Sequence, residues 1–162
     1  MTPLSLMAAD AHVSPATTRI HSCLLGDLEI HDTNVLHFPG GMLGFPETRR
    51  FALLRGAREG LFWLQSLEYP ALAFVLVDPF RVEANYSFDV PPSQIAELGK
   101  ANPEDIGVLC VVTLPENRDQ QPTVNLQGPL IINFGTRCAK QIVSQEGDYS
   151  VRCPVDLSRL VA

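Results

Sequence analysis

Positive charge is scarce in this sequence. Its 162 residues contain 12 Lys and Arg against 18 Asp and Glu, which gives a net charge of −6 and a pI near 5.1. On average such a surface repels phosphate backbones and steers a basic protein toward itself. The composition therefore argues against direct nucleic-acid binding and favours a basic protein as partner.

Long apolar runs and paired cysteines are also missing. The longest apolar stretch, Ala71 to Val77, is far shorter than the ~20 residues of a membrane span, so no membrane-spanning helix is expected. No Lys or Arg precedes the apolar segment from Leu4 to Ala9, so a secretory signal would lack its charged n-region. The four cysteines include no C-x-x-C pair, which predicts reduced thiols and a cytoplasmic location.

The length of the chain fits one domain, since a chain of this size buries about 70% of its unfolded surface. Residues 1–18 combine Pro3 and Pro15 with scattered Ser and Thr and show no hydrophobic period. We therefore predict a flexible N-terminal leader over residues 1–18, one β domain over 19–154 and a C-terminal tail over 155–162.

Short strand-like segments separated by turn residues fill this domain. They lie at residues 19–31 (a hairpin), 35–38, 50–55, 62–66, 71–77, 86–90, 107–114, 123–127, 130–134, 139–144 and 149–153. The segments 71–77 and 107–114 are apolar almost throughout, which is typical of central strands covered on both faces.

Helical signals are limited to residues 93–98, with Ser93 as cap and Gly99 as stop, and to a single turn at 102–105. Thirteen Pro and eleven Gly add to the many turn signals. The predicted fold is mostly β: one domain, an antiparallel β-barrel-like structure or sandwich with one short helix.

Catalytic signatures are absent. The four histidines, at positions 12, 21, 31 and 37, match no helical zinc signature, and no serine lies in a nucleophile elbow. Cys110 lies inside an apolar run, where a thiol is usually a small buried hydrophobe. We predict a protein without enzymatic activity, metal or cofactor. One alternative stays open: a small β-barrel that binds a ligand or metal, as an enzyme or not, through His21, Cys23 and the glycine-rich segment 38–45, with His31 or His37 as a third metal ligand.

Acidic side chains concentrate between Asp78 and Asp105, where six acids and two bases leave a net charge of −4. Solubility alone explains many such runs, but this one also contains two aromatic residues that we expect to be exposed anchors. From it we take the candidate partner-binding residues Asp78, Pro79, Phe80, Glu83, Asn85, Tyr86, Asp89 and Glu97.

Amide side chains near the predicted strands form a second group. Each amide can bond neighbouring backbone at a bend. We expect that structural role for Asn133 and Gln141, and we add Asn125 and Gln127 to the candidate partner-binding residues.

Several motifs resemble the FliW family when they are read in order. They are Phe38-Pro-Gly-Gly-Met-Leu-Gly-Phe45, Phe62-Trp-Leu-Gln-Ser66, Ala73-Phe-Val-Leu-Val-Asp-Pro-Phe80, Asn125-Leu-Gln-Gly-Pro129 and Tyr149-Ser-Val-Arg152. The resemblance covers about residues 19–154. The sequence departs from the usual pattern at Asp78, where Asn is common, and at Val124 and Gly128, where Ala is typical.

This resemblance implies a mode of action that composition and periodicity do not show. FliW proteins bind CsrA, a basic dimeric RNA-binding regulator, and oppose its repression of flagellin translation. They also bind the C-terminal region of flagellin, which competes, so that flagellin synthesis is coupled to assembly. By resemblance we expect a monomeric, cytoplasmic flagellar assembly factor with these two partners, acting through two mutually exclusive or coupled complexes.

Overall fold

The computed structural model describes residues 16–100, 102–143 and 149–159. Within them it has eleven strands, one short α-helix and several single 3₁₀ turns. The elements are β1 (Thr17–Ser22), β2 (Gly26–His31), β3 (Val35–His37), β4 (Arg50–Arg55), β5 (Leu61–Ser66), β6 (Ala73–Val77), α1 (Pro92–Ala96), β7 (Ile106–Thr113), β8 (Thr123–Val124), β9 (Leu130–Asn133), β10 (Cys138–Gln141) and β11 (Cys153–Pro154).

Seven of these strands close into a barrel in the order β7, β6, β5, β4, β3, β10, β9 and back to β7. Closure depends on β7, whose residues Ile106–Leu109 pair with β9 while Cys110–Val112 pair with β6. The barrel ladders are antiparallel except for β10 and β3, which run parallel. The predicted mostly β single domain is confirmed, as a closed barrel rather than a sandwich.

Two smaller units attach to the barrel. The β1–β2 hairpin, predicted over residues 19–31, begins at Thr17, and the Ser22 Oγ donates to Gln65 Oε1 of β5 at 2.7 Å. On another side β8 continues the sheet from the end of β7, and β11 pairs with β8. Of these additions, β8 and the residues after β11 cover part of the outer barrel surface, because Val124 and Val155 belong to a buried cluster there.

The core is divided between the inside and the outside of the barrel because side chains alternate along β6 and β7. Leu76 and Leu109 face a cluster inside the barrel that includes Phe38, Phe51 and Leu64. Val77, Cys110 and Val112 face a second cluster outside it, together with Tyr86, Val124, Leu126 and Val155. The prediction that the two most apolar strands are covered on both faces is confirmed.

Some predicted element boundaries are wrong. Residues 86–90 form no strand, and of 149–153 only Cys153 is paired. The helix spans Pro92–Ala96, with Pro91 rather than Ser93 at its N-cap position and Glu97 at its C-cap position, so the predicted stop, Gly99 at φ +95°, lies beyond its end. The single turn near 102–105 is confirmed as the 3₁₀ turn Pro103–Asp105.

Chain direction gives the barrel two ends. The loops after β3, β5, β7 and β10 lie at one end, next to the tip of the β1–β2 hairpin, where Cys23 N donates to Pro70 O at 2.9 Å. The loops after β4, β6 and β9 lie at the other end. The leader predicted over residues 1–18 falls largely outside the described residues, and on the C-terminal side Val155 is still buried in the outer core.

Candidate functional site

The candidate segment leaves the barrel at the end of β6. Asp78 caps the 3₁₀ turn Pro79–Arg81, because its carboxylate accepts a hydrogen bond from Phe80 N at 3.0 Å. Arg81 pairs with Glu59 at 3.1 Å and approaches Asp78 at 3.9 Å. Asp78 and Pro79 therefore shape the turn, and the carboxylate of Asp78 is already committed to it.

Phe80 and Tyr86 have opposite environments. Phe80 is 38% exposed, and its ring meets the Tyr86 ring edge-on at 5.7 Å. Tyr86 is only 4% exposed, and its hydroxyl donates to Leu126 O at 2.8 Å. The expectation that Tyr86 is an exposed anchor is wrong: its ring fills the outer core, and it supports Phe80 from beneath.

Tyr149 joins this aromatic group, a contact that sequence reasoning missed. Its ring lies 4.7 Å from Tyr86, and its hydroxyl accepts a hydrogen bond from Ser87 N at 2.9 Å. The segment from Asp78 to Ser87 is thus pinned to the outer face of β6 and β7 at both of its ends. The Tyr149-Ser-Val-Arg152 motif was the sequence signal for this residue, although nothing in it indicated the contact.

Cys110 lies under the same aromatic group and is fully buried. Burial is the main cause that raises the pKa of its thiol to about 12, and burial also raises the pKa of Tyr86 above its ordinary value. A thiol with so high a pKa is protonated at neutral pH and is a poor nucleophile. The interpretation of Cys110 as a buried hydrophobe agrees with this environment.

The second half of the candidate set meets the first through Leu126. Asn125 lies just before Leu126, and its Oδ1 accepts from Gln127 N at 3.1 Å and from Gly128 N at 2.9 Å. This local capping ends β8 at Val124, three residues earlier than predicted, because the backbone turns to meet the Asn125 side chain. Gln127 is half-buried beside it.

Two amides have the structural role that we expected. Asn133 donates from Nδ2 to Leu98 O at 3.3 Å and accepts from Gly135 N at 2.9 Å. Gln141 donates from Nε2 to Gly128 O at 2.9 Å. Both side chains therefore fix loops around β9 and β10.

The acidic candidates fall into two groups. Glu83 and Asp89 are exposed on the segment that Tyr86 holds, and Glu83 accepts a hydrogen bond from the backbone of exposed Asn85 at 3.2 Å. Glu97 lies instead beyond α1, where it pairs with Lys140 of β10. The structure thus brings together the candidates from Asp78 to Asp89 with Asn125 and Gln127, and it places Glu97 on a different element.

The residues of the alternative ligand or metal site do not assemble. His21 hydrogen-bonds Asp27 at 2.9 Å, Cys23 is exposed, and the described part of the chain contains no group of three His, Cys, Asp or Glu side chains arranged to hold a metal. A cavity of about 340 Å³ does lie beside the hairpin, but it is lined by Thr18, Ile20, Ile30, Asp32, Val35, His37, Arg50, Leu67 and Arg137. Of the residues of the alternative, His37 lines this cavity, whereas His21, Cys23 and the segment 38–45 do not.

Comparison with known proteins identifies the family. The FliW protein family model matches residues 19–155. The chain belongs to the FliW family. It is 35% identical over 133 residues to the flagellar assembly factor FliW of Pseudothermotoga lettingae, a match that covers 82% of this chain and 85% of that protein. It is 36% identical over 138 residues to the flagellar assembly factor FliW of Natranaerobius thermophilus, a match that covers 85% of this chain and 91% of that protein.

The fold agrees with this family assignment. A crystal structure of a flagellar assembly factor FliW matches with a TM-score of 0.76 and 30% identity, over 85% of this chain and 96% of that one. FliW relatives are thus similar along nearly their whole length. Among the described residues of this FliW protein, no helix is long and apolar enough to cross a membrane.

Proposed function

We propose that this protein is a cytoplasmic, monomeric flagellar assembly factor that acts only by binding other proteins. In this proposal it binds CsrA and relieves the repression of flagellin translation, and the C-terminal region of flagellin competes for it. Two mutually exclusive or coupled complexes are enough for such a switch, so it needs no catalytic group and no cofactor.

One observation supports the CsrA part most strongly. The segment with Glu83, Asn85 and Asp89 is exposed, acidic, and held on the barrel by Tyr86 and Tyr149. A fixed acidic surface attracts a basic partner without a large ordering cost, and exposed Phe80 adds an apolar anchor beside it. We propose that CsrA docks on this segment, with Asn125 and Gln127 at its border.

The test is a titration of CsrA against the double variant Glu83→Lys/Asp89→Lys at two salt concentrations. Because removal of steering charges slows association, we expect the dissociation constant to rise about tenfold or more at low salt and less at high salt. Phe80→Ala should instead raise the dissociation rate. Glu97→Lys is measured separately, because it also breaks the ion pair with Lys140.

The control is Glu116→Lys/Asp119→Lys, which changes the net charge equally on the exposed loop after β7. We expect this control to bind CsrA nearly as the wild type does. Equal weakening by both double variants would show that only net charge matters and would reject the acidic segment as the CsrA site. Flagellin should displace CsrA from the wild type, and failure to do so would reject the competition.

A further inference from the structure

Exposed apolar side chains are unevenly distributed over the molecule. Of eight large hydrophobic residues exposed in the described ranges, six lie at the barrel end formed by the loops after β3, β5, β7 and β10 and by the hairpin tip. We call this the apolar end, and its six residues are Leu24, Leu43, Phe45, Tyr69, Leu114 and Val143. Each is between 42% and 62% exposed.

The glycine-rich loop after β3 is built to present two of them. Phe38 and Met42 are buried in the barrel, whereas Leu43 and Phe45 point outward at 57% and 42% exposure. Phe45 N donates to Met42 O at 2.8 Å and closes a β-bridge, and buried Thr48 donates from its backbone to Phe45 O at 3.1 Å. The loop is therefore a fixed platform, in contrast to a solvent-exposed linker.

Contacts join this loop to its neighbours. The Phe45 ring lies edge-on to Phe74 of β6 at 5.7 Å, and Phe74 lies 6.1 Å from the ring of buried Phe51. On the other side the hairpin tip bonds to Pro70, next to Tyr69. The barrel core thus supports the exposed side chains from within.

The size of the apolar end indicates what kind of partner fits it. Since an aromatic side chain presents roughly 150–250 Å² and the four Leu and Val side chains present less, six half-exposed residues amount to at most about 600 Å². This is at the top of the range for the largest apolar patch of a monomer, yet below the ~800 Å² per partner of a stable interface between globular proteins. A single apolar segment fits this area better than a second copy of the barrel does.

The charges around the apolar end also favour an apolar segment as the partner. Around the apolar end the described residues carry five acids, Asp27, Glu47, Glu68, Glu116 and Asp119, against three bases, Arg49, Arg50 and Arg118. Glu68 is further committed to the backbone of Arg50 at 3.1 Å. Asp27 is likewise hydrogen-bonded to His21, so the small remaining excess of acids does not select a basic partner, and the surface suits an uncharged apolar face.

We propose that the apolar end is a docking surface for a short amphipathic segment of a protein partner, whose apolar face covers Leu43, Phe45 and Tyr69. The proposal rests on the proposed function in one respect: it assigns this surface to the C-terminal region of flagellin and the acidic segment to CsrA. The two partners then occupy different surfaces, and their competition requires coupling between sites.

The experiment measures both partners against a matched pair of valine variants and one loop variant. Val143 lies just after β10 at the apolar end, whereas Val151 lies farther along the same connection, next to Ser150, whose carbonyl accepts from Leu126 N of the outer core. Both are 52% exposed, so Val143→Ser and Val151→Ser remove the same side chain at equal exposure. Leu43→Ser tests the loop. Probes are a synthetic peptide with the C-terminal sequence of flagellin and purified CsrA, with sedimentation used to measure self-association and thermal unfolding to confirm the fold.

We expect Leu43→Ser to weaken flagellin-peptide binding about tenfold and Val143→Ser by a smaller factor, at both salt concentrations, with Val151→Ser and CsrA binding unchanged. Unchanged peptide affinity in folded Leu43→Ser and Val143→Ser would overturn the inference while leaving the proposed function intact. A peptide that does not bind the wild type would reject both. Equal loss of CsrA and peptide would refute two separate surfaces, and self-association that Leu43→Ser abolishes would identify a second copy as the occupant.

Discussion

The acidic segment and the apolar end are held on the barrel in different ways. The acidic segment is added outside the barrel and depends on a few side chains, chiefly Tyr86 and Tyr149, to hold it. The apolar end is formed by loops whose inner residues, such as Phe38 and Met42, belong to the barrel core itself. We therefore expect the first to loosen while the barrel stays folded, whereas the glycine-rich loop of the second should loosen only with the barrel core.

The largest effect on the apolar end is expected from Gly41→Ala. Gly41 has φ +71°, and an added Cβ would lie 2.4 Å from Pro46 O. Left-handed backbone alone costs a non-glycine residue about 1–3 kcal/mol, and the clash adds to it. We expect thermal and denaturant unfolding to show a loss of about 3 kcal/mol. Flagellin-peptide binding should weaken, while CsrA binding to the folded variant persists.

Gly40→Ala is the matched control, because Gly40 has no positive φ and an added Cβ would meet nothing within 4 Å. It should change the unfolding free energy by less than about 1 kcal/mol. Similar losses from both substitutions would contradict a special backbone role for Gly41.

A smaller effect is expected from Tyr86→Phe, which removes the hydrogen bond to Leu126 O. The buried carbonyl is left without this donor, so we expect a loss of about 1–2 kcal/mol in unfolding free energy. Hydrogen exchange of residues 79–90 should speed up, and CsrA binding should weaken more than peptide binding. Tyr149→Phe serves as comparison. Its hydroxyl accepts a hydrogen bond from the backbone N–H of Ser87, which is exposed and can bond to water instead. Equal effects on exchange within β3 to β5 would show that the segment and barrel unfold together.

The smallest effect is a pH dependence that comes from the outer core under the acidic segment. The Cys110 thiol has a folded pKa of about 12, raised by burial from 9.0, so above pH 9 the unfolded state loses a proton that the folded state keeps. Stability should therefore be unaffected at pH 7 and fall as pH rises from about 9 toward 12, by about 1.4 kcal/mol near pH 10. Urea unfolding of wild type and Cys110→Ala should differ in this slope. Parallel pH profiles would contradict the burial of this thiol.

Local sequence patterns were sufficient to predict some features of this structure. The apolar runs of β6 and β7 were predicted as strands covered on both faces because their composition reports burial directly. The single turn predicted near residues 102–105 also followed from local sequence, and it forms as Pro103–Asp105. Barrel or sandwich stayed open, since closure depends on β7 pairing with β9 along one half and with β6 along the other.

The environment of the candidate site was harder to predict. Tyr86 alternates with its neighbours like a strand residue, but its burial depends on Leu126 and Tyr149, whose contacts span 40 and more residues of chain. The glycine-rich segment forms turns, with positive φ at Gly41 and Gly44. Sequence could not show that the same turns point Leu43 and Phe45 outward, because that depends on the barrel interior taking Phe38 and Met42.

The parallel pairing of β10 with β3 has a consequence for synthesis of the chain on the ribosome. Cys138 is the partner of His37, so β3 has an unpaired edge until about 100 further residues have been made. At about 5–20 residues per second this edge waits for several seconds, and open strand edges are sites of unwanted pairing. The open edge of β3 in the nascent barrel is therefore protected from unwanted pairing only after the last third of the protein, which includes β9 and β10, has been made.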